Sequence, residues 1–384
     1  MADNNENKVL NVPPLRFPEF GGVWKEEQLD CVATLSKGIG ISKEQLSEDG
    51  EPCILYGELY TKYKTEIIKQ VESKTDIDDS KLKRSKANDV IIPCSGETAV
   101  DIATARCVPF DNILLGGDLN IISLHKYDGA FMSYQLNGKR KYDIARVAQG
   151  VSVVHLYGEH LKAIKTYNPS LPEQQKIAEL LSLIDERIAT QNKIIEKYES
   201  LIKGINCKIF ASIQGSEYRL GDIATITNGN SNVQDASTEY RIGLYPFFDR
   251  SEEIKYLPTF LFDKESIIYP GEGTEFTPRY FNGKFAVHQR CYAIFDFKEV
   301  VNPKFVYFFL KTQNSYFIRN AVGSTVPSLR LDTFQKLKVV IPLPEIQHSV
   351  SSFLSVLEQK LDVENNVIKK FLWQKQYLLR QMFI

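Results

Sequence analysis

The stretch PSLPEQQKIAELLSLIDERIATQNKIIEKYESLIKGINCKIF, residues 169–210, decides the fold. Alternating steps of four and three residues land on Ile177, Leu181, Ile184, Ile188, Gln191, Ile195, Tyr198, Ile202, Ile205 and Ile209. Nine of these ten are apolar, which is the ~3.5-residue period of a helix seam that packs against another helix. Pro169, Pro172 and the acidic Glu173 suit a helix N-terminus. The pattern predicts a helix of roughly 40 residues, about 60 Å long.

The seam recurs 173 positions further on, on PLPEIQHSVSSFLSVLEQKLDVENNVIKKFLWQKQYLLRQMF, as Val350, Leu354, Leu357, Leu361, Glu364, Ile368, Phe371, Lys375, Leu378 and Met382. Identities at this shift include Gly150/Gly323, Leu156/Leu329, Lys165/Lys338, Pro169/Pro342, Gln174/Gln347 and Phe210/Phe383. A shift kept through a loop, a proline turn and a long helix implies duplication. The chain is then two half-molecules, each a globular head followed by a long helix, and each seam needs the other as its partner.

Working outward, WKEEQLDCVATLSKG suggests a short helix. ILYGELYTKY, VIIPCSGET and LLGGDLNIISLH suggest strands bounded by turns. FMSYQLNGKRKYDIARVA is helical at both ends with Asn137-Gly138 breaking it. In the second half LYPFFDR, KESIIYPGEG and GKFAVHQRCYAIF suggest strands, and PKFVYFFLKTQNSYFIRN a helical counterpart. Each half mixes α and β, so the class is α+β: two heads and two long antiparallel coiled-coil helices related by a pseudo-twofold repeat. The expected segments are 1–165, 166–215, 216–341 and 342–384. Residues 1–12 are polar and expected to be loose.

Composition narrows the function. The chain is 43% hydrophobic and 25% charged, ordinary for soluble globular protein. A net charge of −1 means that attraction to nucleic acid must come from local patches. The six cysteines show no CxxC spacing, so reduced thiols in a cytoplasm are expected. No basic-then-apolar leader and no apolar run near 18 residues is present, which points to a soluble, cytoplasmic protein without membrane contact.

Catalytic motifs are missing. Gly138-Lys139 and Gly283-Lys284 lack the rest of a phosphate-binding loop, and no Asn-Pro-Pro-aromatic motif of an amino-methyltransferase occurs. Asp249 with Glu253-Ile254-Lys255 has a nuclease's letters in too tight a gap. The five histidines show no metal-ligand spacing. Basic and hydroxyl-bearing residues do gather in both heads: Lys62, Tyr63 and Lys64, Lys83 and Arg84, and Lys139, Arg140 and Lys141 in the first; Arg241, Arg250, Thr277, Arg279, Tyr280 and Arg290 in the second. A solvated face is the ordinary reading of one such run, but both heads carry them on one scaffold. Arginine suits base edges and lysine phosphate, so Arg279 and Arg290 are expected on bases, Lys139 and Lys141 on phosphate. Gln191 and Glu364, polar at the centres of their seams, are expected to lie against each other and fix the helix register. Lys375 is expected near a helix end, opposite Leu180–Leu181, with its ammonium reaching water.

NPSLPEQQKIAELLSLIDERI, its echo IPLPEIQHSVSSFLSVLEQKL, and GSTVPSLRLDTFQKLKVVIPLP resemble the specificity subunit of a type I restriction-modification enzyme. YGELYTKY, VIIPCSGET and FNGKFAVHQRCYAIF resemble that family's target-recognition domains, and the likeness covers the chain from Pro13 onward. The second copy departs from the first where Ile346 and His348 flank Gln347, so local packing there is expected to differ. The resemblance implies two heads that each read half of a split double-stranded DNA target, with the helices setting the spacer. It implies modification subunits that hold S-adenosylmethionine, restriction subunits, and no cofactor, metal or chemistry on this chain. A coiled-coil scaffold without a DNA role and an enzyme acting on DNA itself are the alternatives.

Overall fold

Gln174 and Gln347 show why the helix start is duplicated. Gln174 accepts a hydrogen bond from the Asp128 amide at 2.9 Å and donates to the Pro169 carbonyl at 2.8 Å. Gln347 accepts from the Asn302 amide at 2.8 Å and donates to the Pro342 carbonyl at 2.9 Å. Asp128 and Asn302 are the N-caps of the head helices Gly129–Asn137 and Pro303–Lys311. One amide therefore satisfies the chain ahead of the head helix and the turn that starts the long helix.

The long helices are Leu171–Ser212 and Pro344–Gln381, of 42 and 38 residues. The structure is a computed structural model and describes residues 11–77, 81–150 and 153–384, so most of the polar N-terminal stretch lies outside the described residues. The chain forms two compact units, one running to Asn192 and joined by Val367–Ile384, the other Lys193–Asn366. Each unit therefore holds one head and a piece of each long helix.

In the first unit Ile177, Leu181 and Ile184 share a core with Leu378, Met382 and Phe383. The chain direction is antiparallel, since the Leu15 amide bonds to the Gln381 carbonyl beside the Arg16–Glu173 pair, while Lys375 reaches Asp185. Phe383 packs on Phe131 with ring centres 5.2 Å apart. In the second unit its counterpart Phe210 packs on Phe305 at 5.1 Å. There Lys360 lies over the Tyr198 ring, and Phe210 and Val350 join one core. Every predicted seam position is buried or half-buried.

The heads repeat one strand order. In the second, a six-stranded sheet runs Thr225–Asn228, Cys291–Phe295, Phe262–Pro270, Arg279–Val287, Tyr245–Phe248, Lys255–Leu257. In the first, Ala33–Lys37, Leu119–Leu124, Asp89–Pro93 and Arg106–Val108 form one sheet. Lys74–Thr75, Glu51–Ile54, Leu114–Leu115 and Lys83–Arg84 form another. The path that is continuous over Arg279–Val287 is broken in the first head between Arg106–Val108 and Leu114–Leu115. Pro109 lacks the ladder donor and Asn112 has φ 64°, so the strand cannot continue and the sheet divides.

Two local expectations change. WKEEQLDCVATLSKG is strand Lys25–Gln28, a single helical turn Leu29–Val32, and strand Ala33–Lys37. Pairing of Lys25–Gln28 with Lys165–Asn168, and of the Leu29 amide with the Ile164 carbonyl, overrides the local pattern. ILYGELYTKY ends its strand at Ile54 and turns into the helical turn Glu58–Thr61, where the Glu58 carboxylate accepts from the Leu55 amide at 3.0 Å. Asn137-Gly138 does separate two helices, Gly129–Asn137 and Lys141–Val147. The altered helix start also has a visible consequence. Glu173 is buried and held by Arg16 through two bonds of 2.7 Å, whereas Ile346 at the matching place is exposed.

Lys375 is drawn inward onto two carboxylates. Its ammonium lies 2.6 Å from Glu66 and 2.6 Å from Asp185, with its side chain 15% exposed. Asp185 also accepts from the Tyr134 hydroxyl at 2.7 Å. Burial alone would lower the Lys375 pKa, but the carboxylates of Glu66 and Asp185 outweigh it and hold it above the ordinary lysine value. A related cluster stands in the second unit, where Glu358 accepts from Tyr307 at 3.0 Å and pairs with Lys311. Glu358 is 173 positions after Asp185. Removing the ammonium strands two buried carboxylates, so Lys375→Met is expected to cost ~3–5 kcal/mol by urea denaturation. The triple change Lys375→Met, Asp185→Asn, Glu66→Gln is expected to recover most of that loss.

Candidate nucleic-acid interface

In the second head three turns converge on one surface. Asp249, Arg250 and Ser251 follow Tyr245–Phe248; Glu272 follows Phe262–Pro270; His288, Gln289 and Arg290 join Arg279–Val287 to Cys291–Phe295. The ladder that sets Ile268 opposite Arg279 and Pro270 opposite Cys291 brings them together. Two clefts result, sharing Arg250 and Glu272. One, of about 310 Å³, includes Asp249, His288 and Arg290; the other, of about 690 Å³, includes Ser251, Thr277 and Arg279.

Their walls are fixed by polar contacts. Arg290 gives both bonds to Glu272, at 2.7 and 3.0 Å, and stays largely exposed. Arg279 donates to the Ser251 carbonyl and lies over the Phe248 ring. Burial lowers the Arg279 pKa from the ordinary value. The Asp249 carboxylate accepts from the Ser251 amide at 2.8 Å and pairs with Lys255 at 2.7 Å. Burial opposes charge on Asp249, but Lys255 and Ser251 prevail and hold its pKa below the usual carboxylate range. Such a surface offers donors and acceptors in fixed places, as base-edge recognition requires.

The predicted residues are distributed unevenly. Arg250, Thr277, Arg279 and Arg290 gather at the two clefts. Tyr280 lies next along the strand from Arg279, and its hydroxyl bonds to Glu265 while Lys304 covers its ring. Arg241 is exposed, 3.7 Å from Glu239. In the first head the predicted groups do not converge. Lys62 pairs with Glu58 at 2.7 Å, and Arg84 with Glu51 at 2.7 Å. Lys64, Lys83 and Lys139 are exposed and Lys141 is half-buried. Tyr63 is buried in the head core. Arg140 donates to the Ile384 carbonyl at 2.8 Å, pairs with Asp143 and covers the Tyr167 ring. The fold takes up both Tyr63 and Arg140. Gln191 is buried and Glu364 half-buried.

The first head has instead a cleft of about 710 Å³ lined by Tyr56, Ser95, Glu97, Thr104 and Arg106, among others. None of its predicted residues lies there. The signal that finds this cleft is the repeat itself, since Thr104 and Arg106 precede Thr277 and Arg279 by the same 173 positions. Elsewhere the chemistry is sparse. Among the described residues no group of three or more His, Cys, Asp or Glu could hold a metal ion, and no helix is long and apolar enough to cross a membrane. All six cysteines are free. Burial pushes the thiols of Cys53, Cys94 and Cys291 up to about 11.

The family described as Type I restriction modification DNA specificity domain matches residues 23–200 and 215–371. The type I restriction enzyme EcoDI specificity subunit of Escherichia coli is 25% identical over 159 residues, 40% of this chain and 34% of its own length. The likeness thus spans about a third of that relative. The S subunit of a type I restriction-modification system from M. genitalium superposes with TM-score 0.66 at 19% identity, covering 97% of this chain and 99% of that one. A chain from work on complex assembly and conformational transition of the type I system gives TM-score 0.56 at 14% identity, covering 96% and 99%. At these identities the two structures establish a shared fold.

A pH test probes the cleft wall. The depressed Asp249 pKa means that its contribution is present above the ordinary carboxylate pKa of ~4 and lost as pH falls through the depressed value. Asp249→Asn is therefore expected to lower stability at pH ~7 by about 1 kcal/mol, and the gap from the unaltered protein is expected to close as pH falls through the depressed Asp249 value, as read by urea denaturation across pH.

Proposed function

We propose that this chain, which belongs to the type I restriction modification DNA specificity domain family, is the sequence-reading subunit of a type I restriction-modification enzyme. The observation that carries the reading is the repeat: two heads keep one strand order and one cleft position, while the residues on the cleft walls differ. A reader of two different half-sites on one spacer needs that combination. A 42-residue helix is about 60 Å long, comparable to ~18 base-pair steps of duplex.

The partners are double-stranded DNA, modification subunits that hold S-adenosylmethionine, and restriction subunits, and the site of action is the cytoplasm. The chain itself carries no cofactor and performs no bond chemistry. Arg250, Thr277 and Arg290 face base edges, where arginine forks match guanine and hydroxyls serve either role. Lys64, Lys83, Lys139, Lys141 and Arg241, on exposed or half-buried surface, neutralise phosphate. Lys62, Arg84 and Tyr280 support the rim, engaged as they are with Glu58, Glu51 and Glu265. Tyr63 and Arg140 hold the first head together.

The purified chain with labelled S-adenosylmethionine and duplex DNA is expected to show no methyl transfer until a partner methyltransferase is added. The modified bases should then fall in a split motif. Transfer by the chain alone would make it an enzyme, and the absence of salt-dependent binding to random duplex would leave it a scaffold.

Gln191 and Glu364 are proposed as register residues, because a polar group slid against hydrocarbon costs about 1–3 kcal/mol. Replacing both with leucine is expected to raise the melting temperature and to widen the spacer lengths accepted in the modified motif. An unchanged spacer would remove that role.

A further inference from the structure

The two heads carry the same pair of residues at the same ladder position. Arg106 stands opposite Ile91, and Arg279 opposite Ile268. The adjoining ladder agrees, with Pro93 opposite Leu119 and Pro270 opposite Cys291. A threonine, Thr104 or Thr277, sits two residues earlier and lines the cleft in each case.

Each arginine directs its guanidinium at backbone. Arg106 donates to the carbonyls of Tyr63 at 3.0 Å, Ala105 at 3.0 Å and Leu59 at 3.3 Å. Arg279 donates to the Ser251 carbonyl. Leu59 and Tyr63 in one head, and Ser251 in the other, belong to the segment that leaves the parallel-paired strand, Glu51–Ile54 or Tyr245–Phe248. That segment is one wall of the cleft. The facing wall is the turn after Asp89–Pro93 or Phe262–Pro270, held in both heads by matching bonds, from the Leu156 amide to the Cys94 carbonyl and from the Leu329 amide to the Gly271 carbonyl.

On this common frame the matched wall positions differ. Parallel pairing of Ile54 with Leu115 and of Phe248 with Val287 makes Tyr56 the counterpart of Arg250. Bridges from Ser95 to His155 and from Glu272 to Ser328 make Ser95 the counterpart of Glu272, and Glu97 that of Thr274.

We propose that Arg106 and Arg279 are positioning residues that hold open one preformed cleft per head, and that the matched positions Tyr56/Arg250, Ser95/Glu272 and Glu97/Thr274 make the two heads prefer different bases. The inference rests on the DNA-reading function proposed above and deepens it. The chemistry is that of major-groove readout. Arg250 offers donors to guanine, Glu97 and Glu272 accept from exocyclic amino groups of cytosine or adenine, and Ser95 and Thr274 serve either role. An arginine committed to backbone carbonyls sets where those groups stand and reads no base itself.

The test uses the full chain purified with its methyltransferase partner and a duplex library randomised at every position, with bound sequences read out at two salt concentrations. The unaltered complex is expected to return two blocks of base preference around an unread spacer. Arg279→Ala is expected to flatten one block, with discrimination there falling roughly tenfold or more, and to leave the other block and the salt slope unchanged. Arg106→Ala is expected to flatten the opposite block, whereas Arg279→Lys, which keeps a donor for the Ser251 carbonyl, should retain both. Glu272→Ser tests the reading role in a chain that keeps the Arg279 bond to Ser251 while releasing Arg290 from its two bonds, and should change the preferred base at one position of the block that Arg279→Ala flattens. Two intact blocks in Arg279→Ala, or a uniform loss with a salt slope lower by about one, the mark of a phosphate contact, would overturn the positioning role alone. No change of base preference in Glu272→Ser would overturn the reader assignment. An unaltered complex without two blocks would overturn the inference together with the function beneath it.

Discussion

When Gln174 accepts from the Asp128 amide and donates to the Pro169 carbonyl, it joins three parts of the chain with one side chain. These are the start of a head helix, the proline turn and the first turn of a long helix. Each contributes backbone groups that a helix terminus leaves unpaired, and a side-chain amide offers them a donor and an acceptor on separate atoms. Gln347 does the same in the second unit. The orientation of each head on its spacer therefore depends on a neutral contact that salt does not screen, while the charged surfaces remain available for a polyanion.

Apolar packing and buried charge then build on that joint in different ways. Phe383 on Phe131 and Phe210 on Phe305 are near copies. The buried ion clusters are variations: Lys375 comes from the second long helix to meet Asp185 and Glu66, whereas Lys311 meets Glu358 from the head's own helix. A buried cation paired with two acids gives little net stability over a well-packed apolar core, but its loss is costly. In the first unit it thus ties the second long helix both to the first long helix and to a head loop, which an apolar residue would do with less positional demand.

The repeat made much of this legible in the sequence. The helix seams, the break at Asn137-Gly138 and the paired glutamines all follow from periodicity, turn chemistry or the 173-residue shift. What escaped depends on contacts distant in sequence. Lys375 reads as a seam lysine seeking water because a two-helix seam contains neither Glu66 nor the off-seam Asp185. WKEEQLDCVATLSKG reads as helix because its apolar residues suit either period, and only the partner strand Lys165–Asn168 decides. In the first head, charge density pointed to lysine runs, whereas the cleft is lined by Tyr56, Ser95, Glu97 and Arg106, which form no run.

Divergence between the heads follows the same division of labour. Ladder register cannot slip by one residue without turning every buried side chain outward, so the strands that carry Arg106 and Arg279 keep their pairing even where Pro109 splits the first sheet. Turn residues at the strand ends bear no such constraint. Tyr56 and Arg250, or Glu97 and Thr274, are exposed and can differ without repacking the core. On the proposed function, a duplicated scaffold can therefore change what each head reads at the turns alone, while a glutamine joint keeps each head on its own long helix.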